Sequence, residues 1–154
     1  GEDRPEEELK KEPKVGMNFG DPFCHEGDIL EPEYGKGKNC SDYTPPVKKL
    51  GAHVASLGMR FYTGTMFPPE YKNAIFIAEH GSWNRTVPIG YRVVVAKMDS
   101  AGNLSDPIPF ADGWLRNVSS VNGRPVDVQV LSDGSMLVSD DYKGLVYRIT
   151  YSKG

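Results

Sequence analysis

Apolar and polar positions alternate over short runs in the second half of the chain. Residues 126–130 and 145–149 alternate in this way, which is typical of half-buried β-strands. The continuous apolar runs at 75–78 and 93–95 are typical of buried strands. Turn signals rich in Gly, Asp and Pro separate the runs. The pattern predicts strands within residues 53–64, 74–80, 90–99, 108–114, 123–131, 135–141 and 145–151.

The predicted strands form two copies of one unit. Residues 76–80 align with 137–141, because an apolar strand ends in acidic and polar residues in both, and 91–95 then align with the strand at 145–151. A repeated meander of about four strands is the unit of a β-propeller. An antiparallel sandwich with accidental similarity is the alternative. We therefore predict an all-β chain with about two propeller blades.

Two blades cannot close a ring, which needs at least about four. We therefore expect this chain to be a piece of a longer protein or to assemble with another chain. The partner is then the remaining propeller polypeptide or a separate subunit. The blades occupy residues 48–154 and follow two other segments. Residues 1–14 are predicted to be a charged, solvated arm, and residues 15–47 an irregular loop segment.

The loop segment contains both cysteines of the chain, Cys24 and Cys40. A loop this long is uncommon without a staple, and a disulfide closing it would contribute about 3 kcal/mol. Two free thiols are the alternative to this bond. A metal site is disfavoured, since His25 alone does not complete a ligand set.

Composition and short motifs limit the classes of binding partner and the cellular location of the protein. The net charge of -3 gives no basic footprint for nucleic acid, and no apolar run is long enough to span a bilayer. Asn39, Asn84, Asn103 and Asn117 each begin an N-x-S/T sequon. Together with the predicted disulfide, the sequons favour an extracytoplasmic setting, whether secreted, periplasmic or lumenal. Asn39, Asn103 and Asn117 are the candidate glycosylation sites.

Three polar segments are expected to meet at one mouth of the propeller, around its channel. They are the loop at 79–91, the lead-in at 122–127 and the turn at 139–144. Convergent polar groups beside an aromatic ring are what a small-molecule site needs. The predicted mouth residues are His80, Trp83, Asn84, Arg85, Arg124, Asp127, Asp140 and Asp141.

Each of these residues also has a structural interpretation. His80 at a strand end is more often a hydrogen-bonded structural imidazole than a catalyst, and Trp83 could simply cover the neighbouring blade. Arg124 could pair with Asp127 and have no further role. The two aspartates before Tyr-Lys-Gly form a turn signature without any ligand. A guanidinium in so tight a lead-in is nonetheless suited to a forked contact with a carboxylate.

The segments at 57–95 and 123–151 resemble the C-terminal part of the sorbosone-dehydrogenase-like quinoproteins. That family is grouped with the soluble aldose dehydrogenases that use pyrroloquinoline quinone. Residues 24–46 resemble the cysteine-bearing loop of the family, so the resemblance runs from about Gly16 to Tyr151. It implies a six-bladed propeller, a quinone cofactor over the central channel, calcium assistance and oxidation of a sugar hydroxyl or aldehyde.

The resemblance also implies roles for residues at the mouth. His80, Arg85 and Arg124 are carried over as contacts to the carboxylates and quinone oxygens of the cofactor, with Trp83 and Asp127 as further cofactor-binding candidates. The histidine base of the family belongs to an earlier blade, so the catalytic residues and metal ligands are left unassigned. The leading hypothesis is part of a secreted sugar dehydrogenase acting on a small sugar. The alternative is a non-catalytic propeller fragment that serves as a structural or binding subunit.

Overall fold

A computed structural model describes residues 2–153, and the chain divides into two compact units, Gly1–His53 and Val54–Gly154. The regular secondary structure of both units consists mainly of short β-strands. Within the described residues the only helical elements are two 3-10 turns, at Cys40–Asp42 and Pro69–Tyr71. The predicted all-β class is confirmed.

The first unit is built from two small antiparallel pairs joined by irregular chain. Its strands are β1 (Glu6–Leu9), β2 (Cys24–His25), β3 (Ile29–Leu30) and β4 (Lys48–Ala52). β1 pairs with β4, and β2 pairs with β3. A disulfide joins Cys24 to Cys40, with their Cα atoms 5.7 Å apart. The predicted disulfide is therefore confirmed, and it fastens the long segment that has little core.

The charged N-terminal segment differs from its prediction as a solvated arm, because β1 lies within it. A buried carboxylate explains the difference. The backbone N–H of Glu6 donates to Glu26 over 2.6 Å, and Lys49 Nζ donates to the same carboxylate over 2.9 Å. Burial alone would raise the pKa of Glu26, but these donors together lower it below its ordinary value. The partners of this carboxylate lie about 20 residues away on either side, so local composition could not reveal them.

The second unit contains two consecutive antiparallel meanders. The first blade comprises β5 (Ser56–Phe61), β6 (Ile75–Glu79), β7 (Arg92–Ala96) and β8 (Ile108–Ala111), in that order. A hairpin of β9 (Leu115–Asn117) and β10 (Ser120–Val121) follows. The second blade comprises β11 (Pro125–Val130), β12 (Met136–Asp140) and β13 (Leu145–Ile149). All seven strands predicted from the pattern are present, whereas the polar hairpin was not predicted.

Strand register confirms the repeat. In the first blade Ser56 pairs with Glu79 and Met59 with Ile77, so one extra residue lies in β5. In the second blade Pro125 pairs with Asp140 and Val128 with Val138, which places the same one-residue bulge in β11. Bulges re-aim a strand and raise its twist. Their equivalent positions identify the two meanders as successive blades of a partial β-propeller.

The core lies between these two blades. Apolar residues from one face of β6 and β7 pack with those of β11 and β12, and aromatic rings close one end of the cluster. The fully buried members include Tyr62, Phe76, Val93, Val95, Val128, Met136 and Val138. The inner strands also meet closely, since a Cβ on Gly58 would lie 2.6 Å from the Cα of Asp127. The blades therefore pack face to face.

The two blades differ at their outer edges. β8 pairs with β7 as the fourth strand of the first blade. In the second blade β13 pairs with β12 only, and no strand among residues 2–153 pairs with its outer edge. The exposed side chains of Leu145 and Val146 belong to this edge strand.

Candidate functional site

The loop between β6 and β7 has a neck, residues 80–82 and 89–91, that is closed by hydrogen bonds, and an exposed tip, residues 83–87. The backbone N–H groups of His80 and Gly81 donate to the lead-in of β5, each over 2.9 Å. Ser82 N–H donates to the carbonyl of Ile89 over 2.9 Å, and the Ser82 hydroxyl accepts from Ile89 N–H over 3.0 Å. These bonds fasten the neck, so that residues 83–87 project from the end of the blade.

Tyr91 closes the neck of this loop from inside. Its hydroxyl donates to the Ser82 carbonyl, and its ring lies directly against Gly81. Gly81 has a φ of +100°, and a Cβ there would lie 2.4 Å from the ring. Glycine is therefore required at 81 both for its backbone conformation and for the contact. Tyr91 itself adopts a φ of +58°, which is uncommon for a non-glycine residue.

Arg124 brings the second blade to the same neck. One of its terminal nitrogens (NH2) donates to the Tyr91 hydroxyl over 3.1 Å and lies 3.5 Å from the Ser82 carbonyl oxygen. The guanidinium carbon lies 5.2 Å from the centroid of the Tyr91 ring, within the range of a cation–π contact. A half-buried cation from one blade is thus held by an aromatic residue of the other.

Asp140 fixes the lead-in that carries Arg124. Its carboxylate accepts the backbone N–H groups of Arg124, Tyr142 and Lys143, each over 3.0 Å, and the Tyr147 hydroxyl over 3.0 Å. Burial alone would raise the pKa of Asp140, but these four donors together lower it. The carboxylate approaches so closely that a Cβ on Gly123 would lie 2.1 Å from its Oδ2.

His80 and Asp141 form a second link between the blades. His80 Nε2 lies 2.9 Å from Asp141 Oδ1 and 3.1 Å from Oδ2. An ionised carboxylate only accepts hydrogen bonds, so Nε2 carries a proton and donates a hydrogen bond to Asp141. His80 is thus hydrogen-bonded through Nε2, as its structural interpretation requires. Its other ring nitrogen, Nδ1, is not used in this contact.

The other predicted mouth residues are not all drawn together. Trp83 is 84% exposed, so it covers neither of the two blades within residues 2–153. Arg85 donates from Nε to the Val87 carbonyl over 3.2 Å, within its own loop.

Asp127 points away from Arg124. Its Oδ1 accepts Val128 N–H over 2.8 Å, and its Oδ2 lies 3.9 Å from a terminal nitrogen of Arg60. Arg60 is therefore its cationic neighbour, and the structural alternative in which Arg124 pairs with Asp127 is not what the structure shows. The guanidinium of Arg124 is instead held across the blade interface.

Two residues at the centre of this arrangement were missed by sequence reasoning. Tyr91 reads as the first residue of an apolar strand, and Ser82 reads as an ordinary loop residue. Their roles depend on a turn that brings residues nine positions apart into contact. The sequence offers one signal for this turn, the glycine that precedes Tyr91. Glycine tolerates a positive φ, and Gly90 adopts one, of +85°.

Comparison with known proteins identifies the family. The sequence profile of the TrAA12-like family matches residues 6–152. The chain belongs to this family. An uncharacterized protein of Borreliella burgdorferi is 38% identical over 155 residues, which cover 99% of this chain and 41% of that protein. A pyrroloquinoline quinone-dependent pyranose dehydrogenase of Coprinopsis cinerea is 33% identical over 127 residues, covering 71% of this chain and 17% of the enzyme. The predicted relationship to quinone-dependent sugar dehydrogenases is confirmed.

Solved structures support the fold of this TrAA12-like chain. The calcium structure of the Trichoderma reesei family AA12 protein covers 96% of this chain at 23% identity, with a TM-score of 0.74, and 43% of that protein is matched. The holo form of the Coprinopsis cinerea pyranose dehydrogenase PQQ domain covers 97% at 24% identity, with a TM-score of 0.69 and 45% of the domain matched. The chain therefore spans less than half the length of these relatives.

This TrAA12-like chain shows neither a cluster of metal-binding side chains nor a membrane-spanning helix within its described residues. Among residues 2–153, no three His, Cys, Asp or Glu side chains cluster in a way that could hold a metal ion. The same residues contain no helix that is long and apolar enough to cross a membrane.

Proposed function

We propose that this chain is part of a secreted quinoprotein sugar dehydrogenase and that its blade interface helps to bind pyrroloquinoline quinone. The observation that carries the proposal is Arg124, a half-buried cation held at the end of the blades by a neutral aromatic partner. No carboxylate is paired with its guanidinium in the described residues. In a family with quinone-dependent relatives, an anionic cofactor is a suitable partner for such a cation.

The chemistry of the donor set fits the cofactor. Pyrroloquinoline quinone carries three carboxylates, and guanidinium groups bind carboxylates through paired, charge-assisted N–H donors. Arg124 supplies such donors from the second blade, and Arg85 adds a second cation on the loop at 80–91. His80 contributes Nδ1 as a hydrogen-bonding atom, because Nε2 is committed to Asp141.

In this proposal the residues of this chain bind and orient the cofactor. They do not supply the base that takes the proton of the sugar hydroxyl. A bound quinone would supply the two-electron oxidation of a sugar carbon. Arg124 would hold a carboxylate of the cofactor, while Tyr91 and Asp140 keep Arg124 in place. Trp83, at the exposed tip, is positioned to exclude water from a bound ring. Asp127 faces Arg60, so we give it no contact with the cofactor.

Calcium is not assigned to these residues. Calcium prefers six to eight oxygen ligands, and the described part of the chain offers no cluster of three candidate side chains. Asp140, the buried carboxylate of β12 that holds the lead-in, already accepts hydrogen bonds from four protein donors. No step of the reaction is therefore routed through calcium bound to this chain.

Arg124→Ala should weaken quinone binding by about 1.5–3 kcal/mol, because it removes a charge-assisted hydrogen bond. The dissociation constant of pyrroloquinoline quinone would then rise about tenfold to a hundredfold. Isothermal titration of the full-length protein with the quinone measures this change. Reduction of a dye by pyranoses then reports whether the bound form oxidises sugars.

Arg148→Ala is the matched control for this substitution. Arg148 lies at the other end of the second blade, where it donates to Ser135 and Asp133. Its loss removes the same charge and should leave quinone affinity unchanged. If Arg124→Ala lowers the stability of the cofactor-free protein while binding is unaffected, the proposed site is wrong.

A non-catalytic role is the second candidate, and the His80–Asp141 bond favours it. That contact joins the two blades, which is what a purely structural component needs. The titration separates the two candidates, since a structural subunit would not bind the quinone at all.

Asn84 should be unmodified in the natural protein, although it begins a sequon. It lies at the exposed tip beside the proposed mouth, where a glycan would obstruct the cofactor and the sugar. Asn103 and Asn117 lie in other turns of the second unit and carry no such restriction, and Asn39 belongs to the first unit. Site-resolved glycopeptide mass spectrometry measures the occupancy. High occupancy at Asn84 would contradict the site and favour the structural role.

A further inference from the structure

We propose that Tyr91 is a positioning residue, which holds the guanidinium of Arg124 in the orientation that binds a carboxylate of the quinone. This inference rests on the proposed function and adds to it a residue that does not itself touch the cofactor. Its geometric basis is twofold. The Tyr91 hydroxyl accepts an N–H of Arg124 over 3.1 Å, and the Tyr91 ring lies 5.2 Å from the guanidinium carbon.

Tyr91 is itself held rigidly. Its hydroxyl donates to the Ser82 carbonyl, and its ring is packed against Gly81, where even a Cβ would be only 2.4 Å away. The side chain is 4% exposed. A ring so enclosed cannot turn to follow Arg124, so the orientation of the guanidinium is set by Tyr91.

Arg124 is fixed from the other side by its own blade. The Asp140 carboxylate accepts its backbone N–H over 3.0 Å, while Tyr91 of the first blade holds its side-chain end. An arginine side chain has many rotamers, and ordering it on binding costs affinity. Since backbone and guanidinium are both held before a ligand arrives, much of that cost is removed in advance.

The burial of Tyr91 decides how it acts. A side chain this enclosed offers no surface to a bound cofactor, whereas Arg124 is half-exposed. Any effect of Tyr91 on affinity must therefore pass through Arg124. Removing the hydroxyl should then matter only while the guanidinium is present, and that is a measurable coupling.

The test is a double-mutant cycle on the full-length protein, titrated with pyrroloquinoline quinone. Tyr91→Phe should raise the dissociation constant about tenfold, the effect of losing one hydrogen bond to a charged group. Arg124→Ala should raise it at least as much. The variant with both changes should bind as Arg124→Ala does, with no additional loss. Additive losses would overturn the proposal, because Tyr91 would then act independently of Arg124.

Tyr62→Phe is the matched control. The Tyr62 hydroxyl is also buried and also bonded twice, to the Gly134 carbonyl and the Phe67 N–H, but it has no contact with Arg124. Its loss should lower stability and leave quinone affinity unchanged. If Tyr91→Phe behaves in the same way, Tyr91 is merely structural and the proposal fails.

Arg124→Lys keeps the test decisive if Tyr91→Phe does not fold. Lysine retains the charge but not the planar fork that Tyr91 orients. It should therefore bind the quinone nearly as weakly as the alanine variant, whereas wild-type affinity would overturn the proposal. If the wild-type protein binds no quinone, the proposed function fails together with this inference. If it binds and Tyr91→Phe is unaffected, only this inference fails.

Discussion

Asp140→Ala should lower the free energy of unfolding by about 3–4 kcal/mol, since it breaks a buried hydrogen-bond network. The Asp140 carboxylate is 2% exposed and receives four donors. Without it, the Arg124 N–H and the Tyr147 hydroxyl are left without their acceptor inside the protein. Denaturant unfolding followed by Trp114 fluorescence measures the change, because Trp114 packs 5.4 Å from the Tyr147 ring.

Two further variants test whether the stability comes from the hydrogen-bond network of Asp140 or from any carboxylate at this turn. Asp140→Asn keeps the shape and an acceptor oxygen, so it should lose less stability than the alanine variant. Asp141→Ala removes the neighbouring carboxylate, which is exposed and hydrogen-bonded to His80. Its effect should be below about 1 kcal/mol. Equal losses for Asp140→Ala and Asp141→Ala would contradict the network.

The same carboxylate predicts a dependence on pH. Because the pKa of Asp140 is lower in the folded protein than in the unfolded chain, its contribution is fully present above the unfolded value of about 3.9. The contribution is lost as the pH falls through the folded value. The stability difference between wild type and Asp140→Asn should therefore be constant above about pH 5 and shrink below about pH 4. A difference that persists unchanged in acid would show that ionisation is not involved.

Replacing both Cys24 and Cys40 by serine should destabilise the first unit by about 3 kcal/mol. The bond closes a loop of 16 residues in sequence separation, in a segment that is largely irregular. Without it, the reduced unfolded chain gains conformational freedom, and residues 15–47 should be cleaved faster by a protease. Limited proteolysis with mass spectrometry locates and times that cleavage.

A reductant supplies the control for the serine variant. It should accelerate cleavage of the wild type to the rate of the variant and have no effect on the variant, since the sequence contains no other cysteine. Equal cleavage rates for oxidised wild type and variant would show that the disulfide does not stabilise this segment.

Local pattern was sufficient for the blades and insufficient for the first unit. The strands of both blades were predicted because their alternation or apolar runs are visible within five or six residues. β1 was not, because Glu6, Glu7 and Glu8 are a solvated run by composition. They form a strand only through Glu26, Lys49 and the pairing with β4. Contacts across 18 to 46 residues leave no local signature.

The candidate site was predicted in part for the same reason. Arg124 and His80 were found because a propeller places strand ends and lead-ins on one face. The protein partner of Arg124, Tyr91, was not predicted, because the structural alternative considered only Asp127, which is near in sequence and carries the opposite charge. Asp127 instead lies beside Arg60. Tyr91 could be recognised only when the loop at 80–91 was seen to close on itself.

The three-stranded second blade has a consequence for any measurement on this chain in isolation. The outer edge of β13 presents a row of backbone donors and acceptors that no strand among residues 2–153 pairs with. Such an edge attracts strands from other molecules. Self-association then adds to the apparent stability by mass action, in proportion to the logarithm of protein concentration. A melting temperature of these 154 residues is therefore a function of dilution as well as of sequence.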